Sequence, residues 1–195
     1  MRSSLLTLSI FALGQLSASA VFDLGTAAGS TPYDPYIQSV KQTLTTLEGS
    51  TATMDRVQTL MNKGRSFRYS HTEPYAAARP EVTAARKVGD CKDKALWLCD
   101  QLDDRNVRFV IGKMNRSARV RHAWVLWNDG QQWWVLDCTL NSRPIPADKV
   151  APGDYVPLYS WAKTGAYRHT PVESLMAAAA SKSSAPVASK GKRRG

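Results

Sequence analysis

GDCKDKALWLCDQL, residues 89–102, reads as the opening turns of a capped helix. Asp90 is a good N-cap because its carboxylate can accept the first-turn backbone N–H groups, which have no partner inside the helix. Asp93, three residues on, completes a capping box with Asp in place of the usual Glu. From Cys91 the residues Ala95, Leu98, Cys99 and Leu102 follow at offsets of 4, 7, 8 and 11, a single stripe at helical spacing, while Lys92, Asp93 and Lys94 lie off it. Cys91 therefore faces inward from the first turn of a helix.

Downstream, Asn106 and the mixed run after Asp103 end this helix. Val107 to Ile111 is a short apolar strand, followed by a polar loop through Arg121. Two more strands, His122 to Trp127 and Trp133 to Asp137, flank Asn128-Asp129-Gly130-Gln131, where Asp-Gly is a strong hairpin signal. A loop centred on Asp129-Gly130 pairs residue i with 259 − i and sets His122 directly opposite Asp137. Such partners share a face with Cβ atoms about 4.5–5.5 Å apart, close enough for an imidazole and a carboxylate to bond. A one-residue slip would send them to opposite faces. In the same register Trp124 shares the His122 face, where it is expected to shield the pair from water and is a candidate oxyanion or substrate contact. Tyr155 to Trp161 reads as a further strand, placed at an edge by Pro157.

Upstream, Ile37, Val40, Leu44 and Leu47 mark a helix over 37–47, and Val57, Leu60 and Met61 a second over 54–62, stopped by Gly64. The segment 67–88, with Pro74 and Pro80, is expected to be irregular, and 26–35, rich in Gly, Ser, Thr and Pro, a loop or mobile arm.

The chain has 195 residues, 43% of them apolar, enough for one domain with a real core. Residues 1–20 read as a secretory signal: Arg2, a mostly apolar run from Leu5 to Leu16, and the small-residue site Ala18-Ser19-Ala20. The expected organisation is a signal over 1–20, a domain over 21–176 and a disordered basic tail over 177–195. No stretch approaches the roughly 20 apolar residues of a membrane helix. A monomer exported to the periplasm or beyond is expected. The net charge is +10, but Arg2 and the five cations of the tail account for six of the positive charges, leaving +4 over residues 21–180. The folded body is thus only mildly basic, which argues against specific nucleic-acid binding and leaves an anionic surface as a partner for the tail. Three cysteines in an exported chain leave at least one unpaired. Chemistry is one reason to keep such a thiol, and Cys91 is the candidate, with Cys99 and Cys138 expected as buried free thiols, a disulfide between them being the alternative.

A cysteine at a helix N-terminus, with an imidazole nearby, can act as a nucleophile, since the helix end offers positive potential and free N–H donors. His122 is the candidate general base and Asp137 the residue that orients it. Zinc is the rival use of Cys and His, but the sequence holds no C-x-x-C or H-x-x-x-H pair.

GDCKDKA at 89–95, HAW at 122–124 and VLD at 135–137 together resemble the transglutaminase-like cysteine protease superfamily, closest to the bacterial transglutaminase-like cysteine peptidases. Phe67 to Tyr69, and Tyr155, Pro157, Tyr159 and Ser160, extend the resemblance over roughly residues 36–170. It implies an α+β, papain-like/transglutaminase-like core: N-terminal helices and a central helix packed on an antiparallel sheet that supplies His and Asp. It also implies cleavage of a protein or peptide substrate, an oxyanion hole using the Cys91 N–H, and Tyr69 as its completing side chain. Calcium-dependent members carry an acid where this chain has Lys92. A cation beside the site repels Ca²⁺, so no calcium or other cofactor is expected. Transglutaminase or deamidase activity, and a non-catalytic binding domain anchored by the tail, are the alternatives.

Overall fold

The computed structural model describes residues 23–50, 52–73, 75–151 and 153–170. The expected signal segment and basic tail lie outside the described residues. Four helices, α1 (Gln38–Thr46), α2 (Met54–Ser66), α3 (Pro80–Arg86) and α4 (Cys91–Leu102), accompany a seven-stranded sheet. Its strands are β1 (Thr26–Ala28), β4 (Val107–Asn115), β5 (His122–Asn128), β6 (Trp133–Leu136), β7 (Ile145–Pro146), β8 (Asp154–Ala162) and β9 (Gly165–Arg168). They lie in the order β1-β9-β8-β4-β5-β6-β7, and every pairing is antiparallel. A separate parallel pair joins β2 (Arg68–Tyr69) to β3 (Val88–Gly89). The expected α+β class is the one observed. Among the described residues no helix is long and apolar enough to cross a membrane.

The sheet is buried on both faces. On the helix side, Phe109, Ile111, Ala123, Val125, Trp127 and Leu136 pack with the buried sides of α1, α2 and α4. On the other side, Val110, Trp124, Leu126 and Val135 form a second cluster with Ala147 and Tyr155, from the segment that returns after β6. This double burial explains why Val107 to Ile111 and His122 to Trp127 read as nearly continuous apolar runs rather than alternating ones.

Several elements depart from the sequence expectations, each for a local reason. Gly64 does not stop α2; it sits within the helix, where a Cβ would lie 2.7 Å from Cys138 Sγ and 2.8 Å from Trp97 Cζ3. Pro80 breaks nothing either, because it occupies the first turn of α3, where its missing N–H costs no hydrogen bond. The segment 67–88 is therefore ordered as β2, α3 and β3 rather than irregular. Thr26 to Ala28, expected in a loop or arm, pairs with β9 as the edge of the sheet. Strand β8 is interior, not an edge; Pro157 is accommodated at a register shift opposite Ile111 and Gly112, a bulge that needs no ladder donor.

The same bulge brings three strands into close approach around Gly112, which pairs with His122 on β5 and Pro157 on β8. A Cβ at Gly112 would lie 2.2 Å from Val156 O and 2.4 Å from Trp124 Cη2. Gly112→Ala is expected to cost about 3 kcal/mol through overpacking against backbone, read as a lower urea midpoint. An unchanged midpoint would show that β8 does not approach this closely.

Candidate active site

Helix α4 begins as its sequence suggests. Asp90 accepts hydrogen bonds from Lys92 N at 3.1 Å and Asp93 N at 3.4 Å, and Asp93 Oδ2 accepts from Asp90 N at 3.1 Å, closing the capping box. Cys91 occupies the first helical position, where its backbone N–H has no acceptor within the helix. Its thiol is partly exposed, whereas Cys99 and Cys138 are buried; all three are free. Burial pushes the Cys138 thiol up to about 12, and Asp137 beside it adds to the shift. The Cys99 thiol is driven up chiefly by burial as well.

The hairpin that carries the other two residues is offset by two positions from expectation. Asn128 pairs with Trp133 and Leu126 with Val135, so partners sum to 261 rather than 259. The cause lies in the turn. Asp129 Oδ1 accepts from both Gln131 N and Gln132 N at 2.8 Å, and Asn128 Oδ1 accepts from Gly130 N at 2.8 Å. These side-chain bonds build a four-residue loop over 129–132, in which only Gly130 has positive φ. A shift of two preserves which face each side chain takes. His122 and Asp137 thus remain neighbours, diagonal rather than directly opposite, and His122 Nε2 lies 2.8 Å from Asp137 Oδ2.

With Nε2 turned to Asp137, Nδ1 is the ring nitrogen left for another partner. Burial disfavours charge on the ring and lowers its pKa. The hydrogen bonds to Asp137 and Cys91, with the charges of both partners, outweigh this and raise His122 to about 9. The three expected residues therefore share one neighbourhood: a thiol at the helix head that acts on the imidazole, and a carboxylate bonded to the ring's Nε2. Trp124, 1% exposed, stacks on the His122 ring at 6.1 Å and 24°, covering it from solvent as expected. Tyr69 pairs with Gly89 just before the cap and is 54% exposed. That pairing places Tyr69 beside the head of α4, and burial, with the charges of Cys91, Asp90 and Asp93, raises the pKa of its hydroxyl.

Tyr155 is the residue whose role the sequence left unassigned. Its hydroxyl donates to Asp137 Oδ2 at 2.9 Å and accepts from Asn141 Nδ2 at 2.6 Å, while its ring meets Trp124 edge to face at 5.3 Å. Thr139 N at 3.0 Å and Leu140 N at 3.3 Å saturate the other carboxylate oxygen. The only hint in the sequence was the place of Tyr155 in the resemblance, since its left-handed backbone, φ 47°, cannot be read from strand propensity.

No family model matches the sequence. No curated protein matches it either. Among solved structures, Legionella pneumophila LapG is similar at 16% identity over 71% of this chain and 81% of that one, with a TM-score of 0.49. Calcium-bound LapG gives 17% identity over 58% and 67%, with a TM-score of 0.46. A candidate cysteine protease from Cytophaga hutchinsonii gives 16% identity over 54% of this chain and 39% of that one, with a TM-score of 0.39.

Lys92, Asp93 and Lys94 are buried although they lie off the apolar stripe: the segment before α3 closes over the first two, and the Lys94 ammonium donates to Phe67 O at 2.6 Å. The Lys92 ammonium contacts Asp90 Oδ2, donates to Thr72 O at 3.1 Å and Thr72 Oγ1 at 2.9 Å, and lies 5.6 Å from the Tyr75 ring centre. Asp93 Oδ1 accepts from Ala78 N at 2.8 Å. The oxygens at this helix head are thus already turned toward an ammonium and backbone donors. Calcium, which takes six to eight oxygen ligands, does not fit this donor set.

Two outcomes follow from this geometry. Lys92→Met leaves the buried Asp90 carboxylate without its cation and should cost about 3–5 kcal/mol, measured by urea unfolding, while a calcium chelator should leave the unfolding midpoint of the unaltered protein in place. For His122, an NMR titration should show a midpoint near 9 that falls in Asp137→Asn and in Cys91→Ser. Since the folded value lies above the ordinary 6.5, the charged ring stabilises the fold fully below about pH 6.5, and that contribution is lost as pH rises through about 9.

Proposed function

We propose that this chain is an exported thiol hydrolase of the transglutaminase-like type, acting on amide bonds of a protein or peptide through Cys91, His122 and Asp137. The observation that carries the reading is the buried hydrogen bond of His122 Nε2 to Asp137 Oδ2 at 2.8 Å, with the Cys91 thiol among the groups that raise the ring's pKa. Export rests on the reading of residues 1–20, and the working domain is taken as 21–176.

The chemistry requires each group in turn. His122 takes the Cys91 proton, and the sulfur attacks the amide carbonyl carbon, whose oxygen becomes an anion beside the Cys91 N–H at the positive end of α4. Tyr69 at the rim is the candidate second donor to that oxygen. The imidazolium, stabilised by Asp137, then returns its proton to the leaving amine as the C–N bond breaks. Water, deprotonated by the same ring, attacks the thioester, releases the acid and restores the thiol. An amine arriving in place of water would give transamidation by the same steps. Trp124 and Tyr155 act as positioning residues, the first by covering the ring and the second by bonding the carboxylate behind it.

Alkylation by iodoacetamide tests the reading. Cys91 should label selectively, with buried Cys99 and Cys138 spared until the protein unfolds. His122→Ala should slow Cys91 labelling by about a hundredfold at neutral pH, the lower range of general-base effects. Cleavage of a denatured protein substrate should vanish in Cys91→Ala. Equal labelling rates in the unaltered protein and in His122→Ala would contradict the activated pair.

A further inference from the structure

The loop joining β4 to β5 concentrates cations at the edge of this site. Lys113 near the end of β4 and Arg116, Arg119 and Arg121 of the loop fall within nine residues, and no acid occurs between Asp104 and Asp129. Arg116, Arg119 and Arg121 are exposed, and Val120 between the last two is 80% exposed. The loop runs directly into His122. Arg121 immediately precedes His122, whose ring is bonded to Asp137, so its backbone lies at the site itself.

Arg119 and Arg121 differ from other arginines in the chain. Arg56 and Arg65 donate to the carbonyls of Gln101 and Thr139, and Arg108 is held by Leu24 O and the rings of Trp133 and Tyr167. Arg119 and Arg121 have no carboxylate, carbonyl or ring partner among the described residues. The acids nearby are engaged or few: Asp90 and Asp93 are buried in the cap network, Glu73 bonds His71, and exposed Asp154 pairs across from Asn115 at the foot of the loop.

We propose that Arg119 and Arg121 form a carboxylate-selecting subsite, so that the preferred substrates carry Asp or Glu close to the scissile amide. The inference rests on the thiol-enzyme reading above and names the substrate class of that same site. A guanidinium offers a planar pair of donors that matches a carboxylate, and Val120 supplies apolar contact for the methylenes leading to it. The unpaired charge also steers an anionic segment toward the thiol before contact.

The test uses the full chain and three peptidyl electrophiles that differ only in Glu, Gln or Lys beside the reactive group. Cys91 modification is followed by mass spectrometry, each rate normalised to that of iodoacetamide with the same protein. The Glu reagent should exceed the Lys reagent by about tenfold in low salt, with the ratio shrinking between about 20 and 200 mM salt. The ratio should collapse or invert in the double variant Arg119→Glu, Arg121→Glu, and stay in place in Arg105→Glu, at the far end of β4. An equal Glu-to-Lys ratio in the unaltered protein and the double variant overturns the subsite. Loss of heparin binding in the double variant with that ratio unchanged would assign the loop to polyanions and overturn it too. Failure of the thiol-enzyme reading registers separately, as an iodoacetamide rate insensitive to His122→Ala, because an unactivated thiol still reports the charge ratio.

Discussion

A buried carboxylate must find donors, and the fold around the site is organised by how Asp137 finds its own. Its oxygens accept from the His122 ring, the Tyr155 hydroxyl and the backbone N–H groups of Thr139 and Leu140. Those donors come from β5, from the start of β8 and from the turn after β6. Leaving such a group unsatisfied in the interior costs several kcal/mol, so one side chain ties three pieces of chain into a single arrangement. Helix α2 secures the turn further, through Arg65 on Thr139 O and Gln58 on Ser142 O. The ring of His122 is consequently fixed on one side before any substrate arrives. The proposed general base is thereby oriented in advance.

The head of α4 solves a related problem with charge. Asp90 and Asp93 serve the capping box, and the buried ammonium of Lys92 balances Asp90 while reaching back to Thr72. The segment covering the site is thereby bonded to the helix that presents the thiol. Buried ion pairs of this kind add little net stability but penalise rearrangement, because removing either partner strands the other. Cys91 sits between these two residues in sequence, on a first turn held at both its backbone and its side chains.

The site was more legible than the sheet that supports it. The cap at Asp90, the helical stripe from Cys91 and the shared face of His122 and Asp137 all follow from short-range rules, and short-range bonds decide them in the structure. The hairpin illustrates the limit. Asp129-Gly130 marks the turn correctly, but the carboxylate of Asp129 recruits two further N–H groups, lengthens the loop past Gln131 and moves the register by two. The chemistry survives because an even shift keeps the face. Long-range partners decided what was misread: Pro157 signals an edge until a bulge receives it, Gly64 signals a helix end until Cys138 and Trp97 press against it, and β1 exists only because β9 lies beside it. Lys92 and Lys94 carry no local sign of burial, for the covering segment comes from residues some twenty positions earlier and the carbonyl that holds Lys94 is that of Phe67.

Activation of one thiol by one imidazole is the claim on which the functional account stands, and an acyl group left on sulfur reports it directly. Mixing the protein with p-nitrophenyl acetate should release a rapid burst of close to one equivalent of nitrophenolate, with peptide mapping locating the acetyl group on Cys91. The burst should be lost when His122 is replaced by Ala. Steady release without a burst, or acetyl groups spread over lysines with Cys91 unmodified, would contradict it.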